Sequence, residues 1–98
     1  MDINEKDVER YLVDLSHKNK ILTFKLVSPN QSGVPDRIVI APDGALYFVE
    51  LKRPGQQPRP LQQSVFAKLR NYGHSVYIID NKDIAKRFID DIVLKRRP

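Results

Sequence analysis

The sequence predicts a single α/β domain in which a mixed β-sheet is flanked by helices. Two observations favour this class. Stretches with helical and with strand-like hydrophobic spacing alternate along the chain in the order α, β, β, β, α, β, α. The 98 residues are enough for one modest core and too few for two. Because the sequence contains neither a repeat nor a linker-like stretch, the domain is expected to span residues 1–98.

The first two elements are a helix and a short strand. A helix over residues 3–18 is predicted because its apolar residues follow the i, i+3, i+4, i+7 pattern, at Val8, Tyr11, Leu12 and Leu15. Asp2, with Glu5 three residues later, predicts a capping pair at its start. The strand is predicted over residues 21–27, where Lys25 alternates with apolar neighbours.

A β-hairpin over residues 33–52 is the most informative stretch. Two runs rich in Val, Ile, Tyr and Phe flank the turn Pro-Asp-Gly at residues 42–44. Counting outward from this turn pairs Asp36 with Glu50, and directly opposed residues share a face of the sheet. Lys52 points to the same face as Glu50 because side chains alternate along a strand. The register therefore predicts two carboxylates and one ammonium together at the open end of the hairpin.

The remaining elements follow a basic, proline-punctuated loop at residues 53–59. A helix over residues 60–71 is predicted because proline suits the first helical position. A strand over residues 74–79 precedes a last helix, which Asp80 or Asn81 is expected to cap. The residues predicted to face inwards from the two helices are Leu61, Val65, Phe66, Leu69, Ile84, Phe88, Ile89 and Ile92.

The composition narrows the function classes. Seventeen basic and twelve acidic residues give a net charge of +5, which favours nucleic acid as a partner and, after it, an anionic membrane surface. No apolar run approaches the ~20 residues of a membrane span, and the N-terminus does not resemble a signal peptide, so an intracellular, soluble protein is expected. The absence of cysteine excludes thiolate sites, and His17 and His74 are isolated. Any metal would be bound by carboxylates.

The three charges at the open end of the hairpin allow two interpretations. Lys52 can simply neutralise two acids in an ion cluster at the sheet edge, which is an ordinary arrangement. However, the strands around them are apolar on both faces, which predicts a sheet covered on both sides. Opposed acids in such a place need a compensating cation. Mg²⁺, which is commonly held by one or two carboxylates and a substrate phosphate, fits that need.

These residues also carry a family resemblance. Gly-Val-Pro-Asp at residues 33–36, Glu-Leu-Lys at residues 50–52 and a glutamine at Gln62 resemble the PD-(D/E)xK nuclease superfamily and, within it, the stand-alone, phage-type members of the VRR-NUC family. The resemblance covers nearly the whole chain. It implies a restriction-endonuclease-like αβββαβ core and a Mg²⁺- or Mn²⁺-dependent endonuclease active in a bacterial or phage-infected cytoplasm.

The resemblance assigns roles to individual residues. It implies that Asp36, Glu50 and the Leu51 carbonyl hold the metal, that Lys52 orients the attacking water, and that Gln62 positions the lysine or the substrate. A glutamate of the first helix is expected to complete the site. The helix frame favours Glu5 and the distance to the next strand favours Glu9, so both remain candidates. Either can equally be a solvated acid beside neighbouring basic residues.

The predicted partner is DNA, contacted by basic side chains. The candidates for DNA binding are Lys25, Arg37, Arg53, Arg59 and Lys68, with Arg70 and the tail at residues 95–98 as further basic groups. A solvated basic face is the commoner explanation for any single one of them. Chains that resemble this one are regarded as resolvases of four-way (Holliday) junctions, which would require a homodimer. The alternatives are a flap- or nick-directed monomeric nuclease and a non-catalytic nucleic-acid-binding module.

Overall fold

A computed structural model of the protein describes residues 4–98 and contains a four-stranded sheet with three helices. The order and class agree with the sequence prediction. The elements are α1 (Glu5–Lys18), β1 (Leu22–Lys25), β2 (Arg37–Ile40), β3 (Leu46–Leu51), α2 (Pro60–Asn71), β4 (Ser75–Ile79) and α3 (Lys82–Val93).

The sheet is mixed, with the strand order β1-β2-β3-β4. Strands β1 to β3 are antiparallel, and β4 runs parallel to β3. In the β2–β3 hairpin Ile38 pairs with Phe48, and Ala41 and Ala45 close the turn through a 2.9 Å hydrogen bond. Gly44 has a φ of +94°, which glycine adopts at little cost. The register that the sequence predicted is confirmed, and its continuation places Asp36 opposite Glu50.

The two faces of the sheet are covered unequally. Helices α1 and α3 pack on one face and bury a core that includes Leu12, Val39, Val49, Ile79 and Ile89. On the other face α2 packs against β4. Leu22 and Phe24 on β1 remain 55% and 54% exposed on that second face, and Leu46 is exposed beside them. The prediction of a sheet covered on both sides was therefore wrong for β1 and the tip of the hairpin, because one helix is too narrow to cover four strands.

Three local predictions also need correction. The N-cap of α1 is Asn4, which exchanges hydrogen bonds with Asp7; the predicted cap Asp2 lies outside the described residues. In α3 Ile84, which was predicted to face inwards, is exposed, and the next residue, Ala85, is buried instead. In α2 Leu61 is exposed. The other predicted inward residues of α3 and Phe66 of α2 are buried, so each misplaced residue lies at the edge of an otherwise correct apolar stripe.

The end of the chain folds back onto the domain. Arg96 forms an ion pair with Asp91 at 3.2 Å, and the Tyr77 hydroxyl donates to the Pro98 carbonyl oxygen at 2.8 Å. The basic tail at residues 95–98 is therefore attached to the rest of the domain. Within residues 4–98, none of the helices has the length and apolar character needed to cross a bilayer.

Candidate active site

Four of the predicted side chains meet at the open end of the β2–β3 hairpin. Asp36 directly precedes β2, Glu50 lies on β3, and Lys52 directly follows it. Gln62 comes from the first turn of α2, which Pro60 starts and which lies over the end of β3. The strand alternation and the proline that begins the helix thus bring residues that are far apart in sequence to one place.

Gln62 connects the charged residues of this cluster. Its Oε1 accepts hydrogen bonds from the Lys52 ammonium and from the Arg59 backbone N–H, both at 2.9 Å. Its Nε2 donates to Oε2 of Glu50 at 2.8 Å, and Lys52 Nζ lies 3.0 Å from the same oxygen. Glu50, Lys52 and Gln62 are only 1%, 7% and 6% exposed. A buried amide therefore holds the acid and the base in fixed positions.

Glu50 has one carboxylate oxygen without a partner. Its Oε1 is buried and accepts no hydrogen bond from the described residues. Burial raises the pKa of Glu50 above its ordinary value, and the nearby charge of Asp36 raises it further, although Lys52 and Gln62 act in the opposite direction. Asp36 is held in place by the Leu51 N–H, which donates to its Oδ2 at 2.9 Å. The site thus combines two carboxylates with one ammonium, and no positively charged group of the described residues bonds to Oε1 of Glu50.

This arrangement fits a hard divalent cation. Magnesium prefers oxygen ligands and is commonly held by one or two carboxylates together with water and phosphate. Asp36 and Glu50 supply the carboxylates, and the unpartnered Oε1 supplies a reason for the ion to bind. The Leu51 backbone belongs to the same site through its bond to Asp36. Its carbonyl as a metal ligand stays a prediction.

The two candidate glutamates of the first helix lie in different surroundings. The Glu9 carboxylate lies 2.9 Å from Nη1 of Arg37, and Glu5 is exposed to solvent. Among residues 4–98 no group of three or more histidine, aspartate or glutamate side chains is arranged to hold a metal. A role for either glutamate in the site stays a prediction.

The predicted DNA contacts divide into two groups. Four of the side chains are solvent-exposed: Lys25, Arg53, Arg59 and Lys68. Arg37 differs, because its side chain is 11% exposed and binds both Glu9 and the Thr23 hydroxyl within the protein. Arg37 therefore links α1 to β1 and β2, and contact with DNA stays a prediction for all five.

Asp80 was not predicted as a site residue. It directly follows β4, and its Oδ2 accepts a hydrogen bond from the Gly55 N–H at 3.2 Å. It thereby attaches the basic loop after Lys52 to the end of β4. Because β3 and β4 are parallel, their carboxyl ends meet at the same edge of the sheet. If β3 and β4 had been predicted to run parallel, Asp80 would have been expected near Lys52.

The comparisons with known proteins agree with this geometry. No family model matches the sequence. The chain is 41% identical over 83 residues to the "Putative nuclease p44" of Acyrthosiphon pisum secondary endosymbiont phage 1, covering 85% of this chain and 89% of the phage protein. A solved structure described as a VRR_NUC domain superposes with a TM-score of 0.81 at 29% identity, over 88% of this chain and 94% of that one. The chain belongs to the VRR-NUC family of nucleases.

Proposed function

We propose that this chain is a DNA endonuclease that depends on Mg²⁺ or Mn²⁺ and cleaves four-way (Holliday) junctions as a homodimer. The observation that carries the metal dependence is the buried, unpartnered Oε1 of Glu50 next to Asp36. The carboxylates of Asp36 and Glu50 would hold the ion, with the Leu51 carbonyl as a further oxygen. When bound, such an ion polarises the scissile phosphate and lowers the pKa of a water molecule.

Lys52 supplies the positive charge of the protein at this place. Its ammonium is held by Glu50 and Gln62, so its position is fixed before substrate arrives. From there it can donate a hydrogen bond to the attacking water or to an oxygen of the scissile phosphate. Either bond stabilises the negative charge that grows during hydrolysis. Gln62 acts through Lys52 and is a positioning residue.

The test is cleavage of a panel of linear, nicked, flapped and four-way DNAs with Mg²⁺ or Mn²⁺. Lys52→Ala is expected to bind DNA and to lose divalent-dependent cleavage. Lys86→Ala is the matched control, because Lys86 is an exposed lysine on α3 that pairs with Asp90. Undiminished cleavage by Lys52→Ala would overturn the assignment. If the wild type nicks none of the substrates, the chain is a non-catalytic nucleic-acid-binding module.

Metal binding can be tested without activity. At an Mg²⁺ concentration about 100 times its Kd, the native state gains about 2.7 kcal/mol. For a domain of this size this gain corresponds to a rise in Tm of roughly 10–20 °C. Glu50→Gln is expected to abolish that rise, since it removes the charge at the unpartnered oxygen. An equal rise in both proteins would place the ion elsewhere.

The dimer would form through the uncovered face of the sheet. Leu22, Phe24 and Leu46 form an exposed apolar strip there, which does not suit a phosphate backbone. A second copy related by a two-fold axis would cover the strip and would provide a second site for the opposite DNA strand. A stable dimer needs about 800 Å² per partner.

Sedimentation of Phe24→Glu tests this interface. The variant is expected to be monomeric and to nick junctions without making paired cuts. Leu94→Glu is the control, because Leu94 is also exposed but lies beyond α3. A dimeric Phe24→Glu would overturn the use of this face. A wild type that remains monomeric on junction DNA would instead favour a flap- or nick-directed enzyme.

A further inference from the structure

A basic hollow lies at the outer edge of the sheet, where β4 begins. Its volume is about 410 Å³, and its lining includes Arg70, His74, Ser75 and Arg97. Two arginines and no acidic side chain line it. An open hollow with this lining is suited to a group that carries negative charge and several hydrogen-bond acceptors.

The fold holds the Arg70 side chain and the backbone on either side of Arg97. The Arg70 guanidinium donates to the Val76 carbonyl oxygen at 2.8 Å, which fixes one edge of the group. Arg97 lies between two anchored residues of the tail, since Arg96 pairs with Asp91 and Pro98 accepts a hydrogen bond from Tyr77. Arg70 and Arg97 both line this hollow, and the anchored Arg70 loses less side-chain freedom on binding than a mobile surface arginine would.

The distance from the hollow to the candidate active site can be measured along two elements. On β4, Ser75 pairs with Tyr47 and Ile78 pairs with Glu50, a separation of three residues or about 10 Å. On α2, eight residues separate Gln62 from Arg70, or about 12 Å. One DNA strand carries one phosphate per ~3.4 Å of helix axis. The separation thus corresponds to roughly three or four nucleotides.

We propose that this hollow is a second phosphate-binding subsite that holds the DNA backbone three or four nucleotides from the bond being cut. The proposal rests on the proposed function for its distance to the cut, but its binding of DNA is independent of cleavage. Arg70 and Arg97 supply the charge, and Ser75 lies beside them as a neutral hydrogen-bonding group.

The experiment measures the binding of labelled duplex and junction DNA in EDTA over a range of salt concentrations. Each phosphate contact contributes about 0.9 to the slope of log K against log salt. Arg97→Ala and Arg70→Met are each expected to weaken binding and to lower that slope by about 0.9. Arg10→Ala on α1 is the control, because Arg10 is an exposed arginine in a hollow with Asp7 and Asp14. It is expected to leave the slope unchanged.

A second arm tests the distance. The DNA arm is shortened to about two nucleotides past the cleavage position, in one substrate on one side of the cut and in a second substrate on the other side. One of the two substrates no longer reaches the hollow, and the wild type and Arg97→Ala should bind that substrate with equal affinity. Thermal unfolding verifies that the variants are folded, since Arg70→Met also removes the bond to Val76. Unchanged affinity and slope in folded Arg97→Ala would overturn the subsite, and so would weaker binding with an unchanged slope. Normal binding without cleavage would overturn the nuclease mechanism and leave the subsite standing.

Discussion

Replacing Gln62 by alanine should destabilise the protein much more than an ordinary helix substitution. The change removes three hydrogen bonds, two of which involve the charged groups of Lys52 and Glu50, while the third is to the Arg59 N–H. Bonds to charged groups contribute about 1.5–3 kcal/mol each and neutral ones about 0.5–1.5 kcal/mol. The low ends of these ranges add up to about 3.5 kcal/mol. We use the low ends because bonds within one network are not additive.

This loss is large enough to measure by thermal or urea unfolding in EDTA at neutral pH. In a domain of about 100 residues, 1 kcal/mol shifts Tm by roughly 4–8 °C, so Gln62→Ala should melt about 14 °C or more below the wild type. Gln63→Ala is the matched control, since the neighbouring amide makes a single hydrogen bond, to the Pro58 carbonyl. It should cost about 1 kcal/mol.

Activity provides a second measurement on the same variant. At a temperature where Gln62→Ala is still folded, kcat should fall more than KM changes, because the variant no longer fixes the ammonium of Lys52. A Gln62→Ala protein that is no less stable than Gln63→Ala would refute the hydrogen-bond reasoning. An unchanged kcat would refute the role of Gln62 in positioning the lysine.

Three further predictions follow. Gly33→Ala should destabilise the fold more than Gly44→Ala in urea titrations: both glycines have positive φ, but a Cβ at Gly33 would lie 3.1 Å from the Leu61 carbonyl oxygen, whereas the space around Gly44 is open. In metal-free protein the pKa of Glu50 is raised, so between its unfolded value near 4.5 and its higher native value the native state binds more protons than the unfolded state. The free energy of unfolding should therefore fall as the pH rises through this window, and Glu50→Gln should remove this part of the slope. Glu9→Gln should leave the affinity for Mg²⁺ in calorimetry unchanged, and a tenfold loss would place that carboxylate at the metal.

The part of the site that lies within the hairpin could be predicted from the sequence. A Pro-Asp-Gly turn between two apolar runs sets one register when these three residues form the loop, and this register brings Asp36 opposite Glu50. The start of α2 was also predictable, because Pro60 suits only the first turn of a helix. These features depend on local geometry, which the order of the residues determines.

Contacts between separate elements could not be predicted in the same way. The partner of Glu9 depends on how α1 is rotated about its axis, and in the structure this partner is Arg37. The role of Asp80 depends on the direction of β4 relative to β3. Hydrophobic spacing predicts neither the rotation of α1 nor the direction of β4, because it gives the period of an element and not its placement against a neighbour.

The unequal covering of the sheet explains how a domain of this size can maintain such a site. Glutamate and lysine are almost never fully buried, and a carboxylate oxygen without a partner destabilises the native state. Apolar residues at positions 50 and 62 would pack against each other between β3 and α2 and would remove that cost. The compensating stability comes from the opposite face, where α1 and α3 bury Val49 and Leu51, the two neighbours of Glu50 on the same strand. The face of β3 that α1 and α3 cover therefore fixes the strand, which leaves Glu50 on the other face free to hold its charge in a position that suits the proposed catalysis better than folding.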